Sequence, residues 1–351
     1  MASAARTALD EVSGAGAFVR TASTLRGRLG TAEFPAEGGG RYVLYVSYAC
    51  PWACRVLAAI ALKGLESAVT VVPCCPTWRA TRPGDAADGH AGWVFRARHA
   101  AGSVDAALVE VPEREPLFGA ETVREVYERS ALPPGVVIDK FTVPLLVDSL
   151  TSRAVCNESS LLLRDLGGHL FDACGAHFPA VDLCPPHLAA EVEAVSESFY
   201  ASLNDGVYRC GFAQSQAAYE DAARGAAAAL AELEARLSRR GCGGFLVGGQ
   251  LTEADLRLFV TLVRWDPVYC AHFKTCFAAI RSFPALLGLM RRVHQARGGE
   301  GGATVGAASV FLNHIKQHYF GSHTRLNPFG VVPLAHPSEG RELLEDAGAP
   351  P

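Results

Sequence analysis

Residues 41–64 read RYVLYVSYACPWACRVLAAIALKG, and the change of chemistry midway through them decides the fold. The run YVLYV is aromatic and β-branched, the composition of a buried strand, whereas the alanine-rich run after Pro51 suits a helix. Pro51 fits the first helical position, where its missing N–H has no intrahelical partner to lose. This spacing predicts a strand over 42–47, a tight turn, and a helix starting at Cys50 with Ala53, Val56, Leu57, Ala58, Ile60 and Leu62 in its interior. Arg55 is the only charge between 42 and 62, and with Pro51 at the centre it argues against a membrane span.

Cys50 therefore falls at or near a helix N-cap. Unpaired N–H groups and the positive end of the helix dipole favour an anion there, so its thiol pKa is expected to fall from about 8.5 to between roughly 3.5 and 7.5. That makes Cys50 a candidate nucleophile. The competing reading is a buried, inert cysteine.

Further along, residues 68–72 form a second β-type run, and a strand–helix–strand unit of this length implies a parallel pair. Residues 73–120 carry Pro, Gly and charge with little periodicity and read as a long insertion. A third strand is expected over 142–147 with Pro144 inside it, which requires either an edge strand or a cis turn. Residues 153–155 suit a short last strand, and Asn157, Glu158 and Ser159 then open a helix through Leu161, Leu162 and Leu163. Residues 1–41 read as an N-terminal arm, and 42–170 as the first domain.

From 183 to 322 the pattern turns to helices only. Leu188, Val192, Val195, Phe199 and Leu203 follow three- and four-residue steps, as do Leu230, Leu233 and Leu237. Thr252 to Asp255 (TEAD) reads as a capping box, with Leu251 and Leu256 as its hydrophobic staple. Residues 323–351 are expected to be a tail, packed on the surface or loose.

The 351 residues allow two domains, and 32 basic against 36 acidic residues, a net charge of −4, give no general attraction to nucleic acid or anionic membrane. Eleven cysteines without zinc-ribbon or disulfide-framework spacing point to a reducing compartment. The start, MASAARTALDEVSG, lacks an apolar signal core. A cytoplasmic location is the expectation, with a plastid left open.

The strings YVSYACPWACR, GWVF, TVPLLVD, NESS, NDGVYRCGFAQSQAAYE, LTEADLRLFVTLVRWDPVYCAHFK and HYFGSHTRLNP, in that order from about residue 16 to 332, resemble the glutathionyl-hydroquinone reductases, the Xi class of glutathione transferases. The resemblance implies an α/β thioredoxin-like N-terminal domain followed by an all-α domain. It implies a Cys50–glutathione mixed disulfide formed from a glutathionyl-hydroquinone and resolved by a second glutathione. Tyr208 matches the proton donor to the ring carbon, and Tyr269 and Tyr319 match tyrosines that lower the cysteine pKa. For glutathione it points to Trp93, to Lys140, Phe141, Thr142 and Val143, and to Glu158 and Ser159. Glutathione is implied as co-substrate, with no metal or bound cofactor, in a homodimer.

The chemistry of these residues agrees. Backbone before a cis Pro144 would free Val143 to pair with a peptide-like ligand, Ser159 at a helix N-terminus suits a carboxylate, Glu158 an ammonium, and Lys140 a second carboxylate. Read singly, they would be a cap, a first-turn acid and a solvated lysine. Two other functions stand beside this one: an omega-like thioltransferase or dehydroascorbate reductase, and a non-catalytic scaffold. The sequence departs from the family pattern at Cys54, where a histidine is usual, at Asp165, where an apolar residue is usual, and in a longer stretch between Cys50 and Trp93. A disulfide between Cys50 and Cys54 on one helix is geometrically poor, so Cys54 is expected to be buried or a late oxidation target.

Overall fold

The computed structural model describes residues 5–98, 110–239 and 244–334. Strand β1 (Tyr42–Val46) is buried throughout and pairs in parallel with β2 (Val69–Pro73). The helix between them, α1 (Pro51–Lys63), starts at Cys50 as N-cap with Pro51 as its first residue and ends at Gly64 in the left-handed region, φ 62°. A side chain there would be strained and would meet His177 Cβ at 2.7 Å, so glycine both stops α1 and admits that contact.

The insertion carries a two-stranded ribbon, β3 (Arg79–Ala80) and β4 (Ala91–Gly92), and residues 99–109 lie outside the described residues. Helix α2 (Val123–Arg129) then follows, a seven-residue element the periodicity did not predict. Its signal is the cap alone: Thr122 Oγ1 accepts from the Glu125 N–H at 3.0 Å. Tyr127 on α2 donates to the Thr142 carbonyl at 2.9 Å and so anchors the segment that precedes the next strand.

That strand, β5 (Leu145–Asp148), is shorter than the 142–147 expectation, and Pro144 lies just before it rather than inside it. The Val143–Pro144 peptide is cis, and β5 is interior to the sheet, paired antiparallel with β1 and with β6 (Arg153–Cys156), so the edge option fails. The sheet order is β2-β1-β5-β6. Beyond β6 the arm runs alongside, its Gly27 N–H bonded to the Val155 carbonyl at 2.9 Å and its Leu25 N–H to Asn157 Oδ1 at 3.0 Å, which covers the sheet edge.

Helix α3 (Ser159–Gly167) packs on α1, and then come α4 (Ala189–Phe199), α5 (Gly206–Phe212), α6 (Gln216–Arg239), α7 (Glu253–Arg264), α8 (Cys270–His272), α9 (Pro284–Gln295), α10 (Val305–Ser309) and α11 (Leu312–Ser322). The capping box on α7 is present. Asp255 accepts from the Thr252 N–H at 2.8 Å and from the Leu246 N–H at 2.8 Å, while burial raises its pKa to about 6. Two apolar cores meet along α1: Val56, Leu57 and Ile60 join the sheet, whereas Cys54, Ala58, Ala59 and Leu62 join the helical half. The tail begins docked, with Arg325 bonded to the Leu9 carbonyl and to Asp10 at 3.0 Å; residues 335–351 lie outside the described residues. Among the described residues no helix is long and apolar enough to cross a membrane.

Asp165, the departure on α3, is explained by the arm. Its buried carboxylate is ion-paired with Arg28 and accepts from the Leu29 N–H at 3.0 Å, so a polar residue replaces an apolar one where its partners come with it.

Candidate active site

Cys50 lines a cavity of about 320 Å³ between the two halves, within the size range of small-molecule sites. The thiol is buried and donates to the Val143 carbonyl at 3.3 Å, the residue before the cis proline. Val143 N–H makes no backbone hydrogen bond among the described residues, which leaves a donor free beside the sulfur. Phe141, Thr142 and Val143 line the same cavity, as do Trp93, Glu158 and Ser159.

The expected low thiol pKa is corrected by the geometry. Burial pushes the Cys50 thiol up to about 11, outweighing the pull of the Ala53 and Trp52 N–H groups and of Arg264. Helix position alone spoke for a thiolate; desolvation was invisible in the sequence. Alkylation of Cys50 by iodoacetamide, read by mass spectrometry of its peptide, is expected to rise about tenfold per pH unit between about pH 7 and pH 10. A rate already level at neutral pH would show a depressed pKa instead.

Cys54, one turn on, is also a free buried thiol. It donates to the Tyr48 carbonyl at 3.1 Å and accepts from Arg264 Nη2 at 3.0 Å. Arg264 is fully buried at the end of α7 and also bonds the Ala49 carbonyl at 3.1 Å and the Tyr48 carbonyl at 3.0 Å, tying the helical half to the turn that presents Cys50.

The three tyrosines meet from distant segments. Tyr208 and Tyr319 hydroxyls are 2.7 Å apart, and Tyr319 is 3.1 Å from Tyr269. Burial raises all three pKa values. They bond one another, and among the described residues no tyrosine hydroxyl is hydrogen-bonded to Cys50, whose own hydrogen goes to the Val143 carbonyl. Tyr208 and Tyr319 line the cavity, whereas Tyr269 stands behind Tyr319. A π-helical turn, Trp265–Tyr269, with Pro267 interrupting the hydrogen-bond ladder, delivers Tyr269 there.

At the other end of the cavity Glu158 caps α3, its carboxylate accepting from the Ser160 N–H at 3.0 Å. Burial raises its pKa, but Ser160 and Arg55 outweigh this and hold it below the usual range. Ser159 Oγ accepts from Arg55 Nη2 at 2.7 Å. Lys140 also lines the cavity, yet its ammonium is held by Glu11 of the arm at 2.6 Å, so it does not stand free for a carboxylate as expected.

Three arginines were missed as site residues. Arg55 is buried with its Nε unpartnered, and burial together with Arg257 lowers its pKa to about 10, leaving it charged at neutral pH. Arg257 lines the same end, held by Glu253 at 2.9 Å, with its Nε also unpartnered. Arg20, from the arm, pairs with Asp205 at 2.5 Å, lies 4.7 Å over the Tyr208 ring, and has Nη2 buried without a partner. Buried guanidinium donors without a protein partner suit an anion. The signal for Arg55 was its being the only charge in an apolar stretch, whereas nothing local marks Arg20.

The cavity thus joins a buried thiol, an unpaired backbone donor, an arginine-lined end and aromatic side chains. Residues 216–292 match the family profile described as glutathione S-transferase, C-terminal domain. The chain is 38% identical to the glutathionyl-hydroquinone reductase PcpF of Sphingobium chlorophenolicum over 338 residues, 95% of each protein. It resembles the crystal structure of the glutathione-S-transferase Xi from Phanerochaete chrysosporium with a TM-score of 0.78 and 36% identity, over 93% of this chain and 95% of that one. A second neighbour is the glutathione-bound structure of YqjG, a glutathione transferase homolog from Escherichia coli K-12, with a TM-score of 0.73 and 36% identity over 87% of each chain. The fold is that of a glutathione transferase. Within that class, the chain belongs to the Xi family of glutathionyl-hydroquinone reductases.

Proposed function

We propose that this protein reduces S-glutathionyl-hydroquinones to hydroquinones at the expense of glutathione, with Cys50 as nucleophile. The observation that carries the reading is one cavity holding Cys50, the Val143 backbone, the Glu158–Ser159 helix start with its arginines, and the Tyr208–Tyr319 pair. Val143 N–H and C=O suit the peptide core of glutathione, and Arg55, Ser159 and Glu158 suit its γ-glutamyl carboxylate and ammonium. Trp52, Trp93 and Phe212 would enclose the ring.

In the first step the Cys50 sulfur attacks the glutathionyl sulfur, an S–S bond forms, the C–S bond breaks, and the ring carbon takes the electron pair and a proton. The two sulfurs are oxidised and the ring carbon is reduced. A thiol brings one proton and the ring gains one, so the step is balanced with a protonated Cys50. The thiol loses its proton to solvent in the open cavity as it attacks, and Tyr208 gives one to the ring carbon. The linked hydroxyls of Tyr208, Tyr319 and Tyr269 form a path by which the donor is recharged. A second glutathione then attacks the mixed disulfide, releasing glutathione disulfide and restoring Cys50.

Glutathionyl-hydroquinone and glutathione are expected to yield hydroquinone and glutathione disulfide, with much weaker turnover of dehydroascorbate; the reverse preference would favour the omega-like reading. Tyr208→Phe should slow the first step by about 10²-fold while leaving resolution of the mixed disulfide nearly unchanged. Equal slowing of both steps would remove Tyr208 as proton donor. We place the protein, as a homodimer, in a reducing compartment such as the cytoplasm; the free thiols among the described residues support the reducing compartment.

A further inference from the structure

His318 is a polar group in the cavity wall to which the reaction above gives no task. It sits on α11 beside Tyr319 and is 5% exposed. Its ring is clamped, stacked on Trp93 with centroids 4.5 Å apart and edge-on to Trp78 at 5.3 Å and Tyr319 at 5.2 Å. Nδ1 lies 3.0 Å from the Pro76 carbonyl oxygen, which can only accept, so Nδ1 carries the hydrogen; Ser322 Oγ lies 3.1 Å from the same nitrogen. A neutral imidazole protonated at Nδ1 has a bare Nε2 that can only accept. Burial keeps the ring neutral, lowering its pKa to about 3. Nε2 has no hydrogen-bond partner among the described residues. His323 lines the same cavity, but its Nδ1 faces His272 Nε2 at 3.0 Å, and an imidazole can donate or accept, so its tautomer is not fixed in this way.

A bare, buried acceptor in the wall of a cavity calls for an O–H or N–H donor on the ligand. Glutathione's ammonium and peptide N–H are matched by Glu158 and the Val143 carbonyl, whereas a hydroquinone ring carries hydroxyls that an aryl ether lacks. Resting on the reading of the protein as a glutathionyl-hydroquinone reductase, we infer that His318 Nε2 accepts a hydrogen bond from a ring hydroxyl and makes a free phenol a condition of tight binding. The hydroxyl keeps its proton. The hydrogen bond raises electron density on its oxygen and, through the ring, at the carbon that receives the proton as the C–S bond breaks. His318 is thereby a specificity-determining contact.

The test is a binding cycle in the Cys50→Ser background, where no turnover occurs. Calorimetry compares glutathionyl-hydroquinone with its di-O-methyl ether, in protein with His318 and with His318→Leu or His318→Gln. With His318 the ether should bind about tenfold more weakly or worse. His318→Leu should lose that discrimination, and His318→Gln, which retains an acceptor, should restore part of it, with glutathione affinity unchanged in both as the check on folding. Discrimination that persists in His318→Leu would overturn the inference; should that variant not fold, His318→Ala decides by the same readout, loss of discrimination supporting the contact and persistence opposing it. Failure of the parent protein to bind glutathionyl-hydroquinone would instead overturn the functional reading on which the inference rests.

Discussion

Replacing Cys50 by serine is expected to lower kcat/KM for glutathionyl-hydroquinone by at least ~10³-fold while leaving the fold intact. A serine oxygen cannot form the mixed disulfide, and at neutral pH its hydroxyl is far less acidic than even the raised thiol. The fold is spared because the change is nearly isosteric and the serine O–H can replace the thiol's hydrogen bond to the Val143 carbonyl. Steady-state kinetics with a thermal melt separate the two effects. Cys54→Ser is the control: its sulfur faces Arg264 and the Tyr48 carbonyl, and Cys54 does not line the cavity, so activity should stay within a few-fold. A large loss in Cys54→Ser together with retained activity in Cys50→Ser would exchange their roles.

Arg264→Met is expected to destabilise the protein by about 3 kcal/mol and to slow alkylation of Cys50 at fixed pH. Removing a buried cation relieves a desolvation penalty, so the sign has to be argued. Replacing every member of a buried polar group by apolar residues is often neutral, but here only the cation goes, and the Tyr48 and Ala49 carbonyls it bonds remain buried. Each loses a charge-assisted hydrogen bond worth about 1.5–3 kcal/mol, and a flexible methionine fills the space without replacing either. The thiol effect follows from charge: the guanidinium lowers the Cys50 pKa, so its loss raises that pKa and leaves less thiolate. Urea unfolding gives the first quantity, and the rate of iodoacetamide labelling the second. Unchanged stability with faster labelling would contradict both.

Much of this architecture was legible in the chain. The switch from YVLYV to an alanine-rich helix located β1, α1 and Cys50 because strand and helix composition change abruptly at a single proline. The TEAD cap announced α7 because a capping box is a local device, complete within four residues. Helix α2 escaped because seven residues hold too few apolar positions to show a period, and the cis bond at Pro144 was one of two options until the strand order made β5 interior. At the site, positions were readable and energetics were not. The thiol's burial, the Glu11 partner of Lys140 and the place of Arg20 beside Tyr208 are all made by the N-terminal arm or by the closure of one half on the other. No window of sequence contains both partners of such a contact.

The central claim is that Cys50 itself takes the glutathionyl group from the aromatic substrate. One turnover with glutathionyl-hydroquinone in the absence of free glutathione, quenched in acid and analysed by peptide mass spectrometry, tests it directly. The account predicts glutathione on the peptide containing Cys50, with an equal amount of hydroquinone released, and full removal of the adduct when glutathione is added. Hydroquinone released with Cys50 unmodified, or glutathione found on another cysteine alone, would contradict it.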